Sequence, residues 1–166
     1  MFSKRHVFTL FAAVSFVAVA GAAGVQATAP SGVVGTNLAV GTFGEIDAKT
    51  LTSDWQARID TKGNSDLYMV QNVFAPGASF GWHSHPGPSL VIVKTGALTL
   101  YKADDPTCTP HLVPAGSGFV DDGHDTHLVR NELSVETVVY VVSLVPQGVA
   151  RRIDEQAPGN CPPDIR

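Results

Sequence analysis

From Leu38 onward the chain is written in short runs of alternating or wholly apolar residues, rich in Val, Thr, Phe and Tyr, and no long segment carries a helical period. Between the runs lie groups with turn chemistry: Lys62-Gly63-Asn64, Pro76-Gly77, Pro86-Gly87-Pro88, Thr95-Gly96, Asp104-Asp105-Pro106 and Asp121-Asp122-Gly123. This punctuation predicts strands over residues 38–46, 55–59, 66–75, 79–85, 89–94, 97–101, 111–113, 118–120, 127–130 and 135–145. The best helical candidate is a single short turn at 51–56, started by Thr52 or Ser53. Many short strands at regular spacing imply an all-β sandwich or barrel, which closes its edges against aggregation.

The first residues follow different rules. Lys4 and Arg5 precede an almost entirely apolar run over 7–25 that ends in Val25-Gln26-Ala27, the pattern of a secretory signal cleaved after Ala27. The alternative is an uncleaved anchor, since a spanning helix needs about 20 apolar residues; the alanine and glycine content favours cleavage. The expected organisation is therefore a signal peptide at 1–27, a flexible lead-in at 28–37, a β-barrel at 38–148 and a tail at 149–166, in a secreted or periplasmic protein.

Removing the signal leaves 139 of the 166 residues, enough for one domain with a real core. It also removes Lys4 and Arg5, so 9 basic residues face 15 acids and the net charge is −6. Such a surface repels nucleic acid and anionic membrane, and the mature chain has no second apolar span. Cys108 and Cys161 both lie in the exported part, and an even number in an oxidising compartment predicts a disulfide that pins the tail, with two unpaired thiols as the alternative.

Chemistry gathers in the middle of the chain. All five histidines of the mature protein, His83, His85, His111, His124 and His127, fall between Gly77 and Asn131. In a strand, alternate side chains share a face, so His83 and His85 project the same way and can share one ion. They could equally be polar positions on the wet side of an edge strand. Ser84 points away from both, which makes a Ser–His nucleophile there geometrically poor.

The spacing Gly77-x5-His83-x-His85-x3-Ser89-x6-Gly96, followed by Gly116-x10-His127-x3-Asn131, resembles the two motifs of the cupin superfamily, G-x5-HxH-x3,4-E-x6-G and G-x5-PxG-x2-H-x3-N. The resemblance covers roughly the middle third of the chain and implies a double-stranded β-helix, or jelly-roll barrel. It also implies that His83, His85 and His127 are metal ligands. Three departures stand out: Ser89 holds the motif's glutamate position, Asp122 its proline and His124 its inner glycine. The carboxylate ligand is thus missing, and a serine hydroxyl supplies no charge to neutralise a divalent ion.

Three neutral imidazoles suit Fe, Cu, Zn or Ni and leave positions open for water, substrate or dioxygen. Ser89, His124 and Asp122 are the candidates for a fourth ligand or a supporting contact. Asp121, Asp122 and Asp125 surround His127, and one of them can orient its ring. Asn131 is expected to stabilise its turn, and His111 to be structural or exposed. Two functions follow: a metal-dependent, dioxygenase-like enzyme acting on a small molecule, or a non-catalytic module that binds or senses a small ligand. A homodimer built through the sheets is also consistent with the apolar first strands.

Overall fold

The computed structural model describes residues 27–165, so the expected signal segment lies outside the described residues but for Ala27. Among the described residues there are twelve strands and no helix. They are β1 (Ser31–Phe43), β2 (Asp47–Leu51), β3 (Gln56–Asp60), β4 (Ser65–Ser79), β5 (His83–Ser84), β6 (Ser89–Thr95), β7 (Ala97–Lys102), β8 (His111–Pro114), β9 (Gly118–Asp121), β10 (His127–Arg130), β11 (Thr137–Pro146) and β12 (Ile153–Asp154). All pairings are antiparallel. One wall of the barrel runs β1–β4–β11–β6–β9 and the other β12–β5–β10–β7–β8, and the end of β4 joins them where Ser79 meets Arg130. The result is the nearly closed all-β barrel that the strand punctuation implies.

Period-two alternation decides what fills it. In β6, Ser89, Val91 and Val93 are buried while Leu90 and Ile92 face out; in β11, Thr137, Val139, Val141, Ser143 and Val145 are buried. With Val70, Phe74, Leu98 and Val129, the valines at 91, 93, 139 and 141 form the core between the walls. Each such side chain stabilises the fold by about 1.5–3 kcal/mol relative to leaving it exposed. A second cluster of Trp82, Tyr101, Cys108 and Leu128 lies under the C-terminal tail. By contrast β2 and β3 form a separate, fully exposed hairpin.

The strand bounds depart from expectation in several places, among them an unexpected β2 and an expected strand at 79–85 that is reduced to β5 and the end of β4. Most of the stretch expected to be a flexible lead-in belongs to β1, because its amides pair with β4 from Ser31↔Ser79 to Phe43↔Ser65. The expected helical turn at 51–56 is a hairpin loop, in which Thr52 Oγ1 accepts from the Trp55 N–H and Thr52 N–H donates to the Trp55 carbonyl. Pro76-Gly77 does not end its strand: Gly77, at φ 75°, lets β4 bend and run on to Ser79. The tail contributes β12, whose pairing with β5 has no periodic signal in two residues.

Candidate metal centre

The path into the site begins at Gly81. Its φ of 67° is open to glycine, and a Cβ there would overlap the Thr28 carbonyl. This left-handed residue resets the alternation, so Phe80 and His83 both face the barrel cavity while Trp82 turns into the second cluster. His85 follows on the same side, and Ser84 points away to donate its hydroxyl to Glu155. The loop after His85 packs on the loop before His127, with Gly123, at φ 86°, against the backbone of Gly87. The His124 N–H donates to the His85 carbonyl at 2.8 Å. Antiparallel pairing of His127 with His83 then brings the two distant motifs together.

The three rings meet with centroids 4.4, 5.0 and 5.5 Å apart. One nitrogen from each lies within 4.8 Å of the others. A metal–nitrogen bond of about 2.1 Å sets tetrahedral nitrogens about 3.4 Å apart, so small ring rotations close the site. Each Nδ1 is held by a main-chain carbonyl: His83 by Gly81 at 2.9 Å, His85 by Arg151 at 2.6 Å and His127 by Asp125 at 2.9 Å. A carbonyl only accepts, so Nδ1 carries the proton in all three rings and every Nε2 presents a lone pair. All three histidines are buried. Burial first, then the neighbouring His127 and Arg152, pushes His83 down to about 2, and burial also lowers His85. Three neutral, pre-oriented donors converging on one point are the requirement for binding a borderline divalent cation.

Among the acids, Asp121 alone is buried here. Its Oδ1 accepts from the Gly123 N–H at 3.0 Å. Its Oδ2 lies 3.3 Å from His85 Nε2 and 3.8 Å from His127 Nε2, without a hydrogen-bond partner. An ion pair with His85 would need a second proton on that ring, which its burial opposes. Of the other expected contributors, one lines the same cavity with its hydroxyl engaged and two are exposed. Ser89 shares a 2.8 Å hydrogen bond with Ser143, and His124 and Asp122 are exposed. Asp122 and Asp125 interact with each other at the surface, which lowers the first and raises the second. Asn131 is fully buried and braces its turn through the carbonyls of Phe74, Ala75 and Val135. His111 is exposed.

Around the histidines is a cavity of about 50 Å³ walled by Phe74, Phe80, Val91, Leu98, Phe119, Val129, Val139 and Val141. Asn72, Arg151 and Arg152 also reach it and were not singled out from sequence. Asn72 is buried with Nδ2 unpartnered. Arg152 donates to the Phe80 carbonyl at 2.8 Å. Extending strand β9 by one residue would have placed Asp121 on the inward side with Phe119. No sequence signal marks the two arginines, which arrive on the tail. That tail is fixed by the disulfide Cys108–Cys161, with Cα atoms 5.2 Å apart.

The family described as "Cupin domain" matches residues 72–143, which contain every residue of the histidine cluster. No curated protein matches the chain. Among solved structures, an oxalate oxidase in complex with the substrate analogue glycolate is 26% identical with a TM-score of 0.45, covering 53% of this chain and 45% of the oxidase. A conserved Streptococcus pyogenes protein of unknown function is 18% identical with a TM-score of 0.42, covering 49% of this chain and 67% of its own. A cupin superfamily protein from Desulfitobacterium hafniense DCB-2 is 14% identical with a TM-score of 0.43, covering 66% and 81%. The chain spans less than half the length of the oxidase it resembles.

Proposed function

The chain carries a cupin domain, and from that premise we propose that it is an exported protein that holds a divalent metal on His83, His85 and His127 to bind and transform a small, oxygen-bearing molecule. The observation that carries this reading is the convergence of three bare Nε2 lone pairs, each fixed by a main-chain acceptor, at the wall of an apolar cavity. Fe, Cu, Zn or Ni fits such a donor set and would supply Lewis acidity and open coordination positions there.

The protein's own groups set the ligand class. A water needs roughly 10–15 Å³ by the same measure, so the cavity of about 50 Å³ admits on the order of three to five non-hydrogen atoms. The unpartnered Asn72 Nδ2 offers a hydrogen bond to an acceptor, and Arg151 and Arg152 place positive charge at the wall. A small organic oxyanion satisfies both. The valine and phenylalanine walls exclude water around it. The reaction we assign is dioxygenation, in which both atoms of dioxygen enter the organic molecule. That molecule is itself the reductant, so no further electron donor is required.

A second reading is a non-catalytic module that binds the same ligand. It is favoured by Ser89, whose hydroxyl is engaged with Ser143 and gives the metal no charge. Metal analysis of the purified protein beside a His83→Ala/His85→Ala double variant tests the common premise; equal metal in both sinks it. Dioxygen uptake with organic oxyanions of about three to five non-hydrogen atoms then separates the readings, since the binding module consumes none.

Export is supported by the disulfide, a bond that persists in oxidising compartments. A homodimer is supported by β1, an uncharged thirteen-residue strand that pairs only with β4 among the described residues. Its exposed Val34, Leu38, Val40 and Phe43 lack the charges that protect free edges, so a second copy is the occupant we assign.

A further inference from the structure

Pairing register puts Ser143, Ser89 and Asp121 side by side on β11, β6 and β9, in one inward-facing row across three neighbouring strands. In that row the two serines satisfy each other at 2.8 Å. Ser89 is therefore committed to its neighbour on one side, while its neighbour on the other side carries the carboxylate. Asp121 Oδ2 is buried, has no donor, and approaches two Nε2 atoms that also have none to give. Lone pairs facing lone pairs at 3.3 and 3.8 Å in a buried site repel unless a cation lies among them.

We infer that Asp121 Oδ2 is the fourth, anionic ligand of the metal, supplied by β9 from the position opposite Ser89. The inference rests on the three-histidine metal reading and extends it. It explains how a site whose motif serine carries no charge still presents one negative group to a divalent ion. The carboxylate lies one strand sideways in the same row, and Gly123 N–H holds its other oxygen while Oδ2 faces the His85 and His127 rings. A group of this kind sits in the coordination sphere and raises affinity by charge as well as by number of bonds.

Co(II) binding to metal-stripped protein, read by d–d absorption and by competition with a chelator, tests this on wild type, Asp121→Asn and the relocated pair Ser89→Glu/Asp121→Ser. We expect one Co(II) per wild-type chain and more than about 100-fold weaker binding with altered d–d bands in Asp121→Asn, a larger loss than the 10–100-fold typical of groups outside the coordination sphere. The relocated pair should recover most of the affinity. Without metal, Asp121→Asn should melt no lower than wild type, because it removes an unpartnered buried charge. A smaller loss, or unchanged bands, overturns Asp121 as a ligand while leaving the three-histidine site intact. No Co(II) binding by wild type overturns the metal reading itself. Should Asp121→Asn fail to fold, the relocated pair carries the test alone, and its failure to bind Co(II) tightly overturns the proposal.

Discussion

Replacing both cysteines with alanine, Cys108→Ala/Cys161→Ala, would separate what the disulfide does for the chain from what it does for the site. The bond spans 53 residues, and the loop-closure estimate for that separation is about 4 kcal/mol at 25 °C. For a domain of this size the loss corresponds to roughly 10–15 °C in Tm. Urea unfolding followed by tryptophan fluorescence is well matched to it, because Trp82 is fully buried in the cluster beside Cys108 while Trp55 is 61% exposed and contributes little change. If the bond acts by restricting the unfolded chain, the variant should also show a steeper denaturant dependence, since its unfolded state exposes more surface. The tail keeps other ties, including the Trp82 Nε1–H bond to the Ile165 carbonyl and the β12–β5 pairing. Metal affinity should therefore fall by no more than about 10–100-fold, the effect of loosening the Arg151 carbonyl that orients His85. A stability loss under about 1 kcal/mol would refute the loop-closure reasoning.

The metal-stripped protein should lose stability as pH falls from 6.5 to 4.5. Burial holds His83 down to about 2 and lowers His85 as well, so below their ordinary value of 6.5 the unfolded chain binds more protons. Each contributes up to about 1.4 kcal/mol per pH unit, and a flat profile of chemical unfolding over that window would contradict it. Asn131→Ala removes a fully buried amide that bonds the carbonyls of Phe74, Ala75 and Val135, and should cost about 2–4 kcal/mol in urea unfolding while changing metal affinity less than about twofold. Sedimentation equilibrium should find a dimer that Leu38→Lys/Val40→Lys converts to monomer; a wild-type monomer would discard the β1 interface.

Sequence periodicity carried the barrel because alternation and turn chemistry are local. Residues 127–130 were bounded correctly, and 89–94 and 97–101 were each one residue short. Strand alternation made the pairing of His83 with His85 legible, and the resemblance to the cupin motifs added His127. What sequence could not carry was register. Asp121 stood among three acids of one turn, and only its pairing with Ser89 separates it from Asp122 and Asp125. Likewise β1 began earlier than its composition suggested, since Gly32 and Gly35 read as loop until the partner strand is known. Arg151, Arg152 and β12 reach the site through tertiary contacts of a tail that has no pattern of its own.

The acceptors at residues 81, 125 and 151 are main-chain oxygens, so every amino acid substituted at those positions would still provide one. Ring protonation is thus inherited through the route the polypeptide takes, and is insensitive to spelling at 125 and 151, while 81 must stay glycine to keep that route. An alanine scan would keep the carbonyls of Asp125 and Arg151 in place, whereas at Gly81 the added Cβ would meet the Thr28 carbonyl and move the strand itself. Only a detour of the backbone, such as an inserted residue or a shortened loop, can turn a ring away.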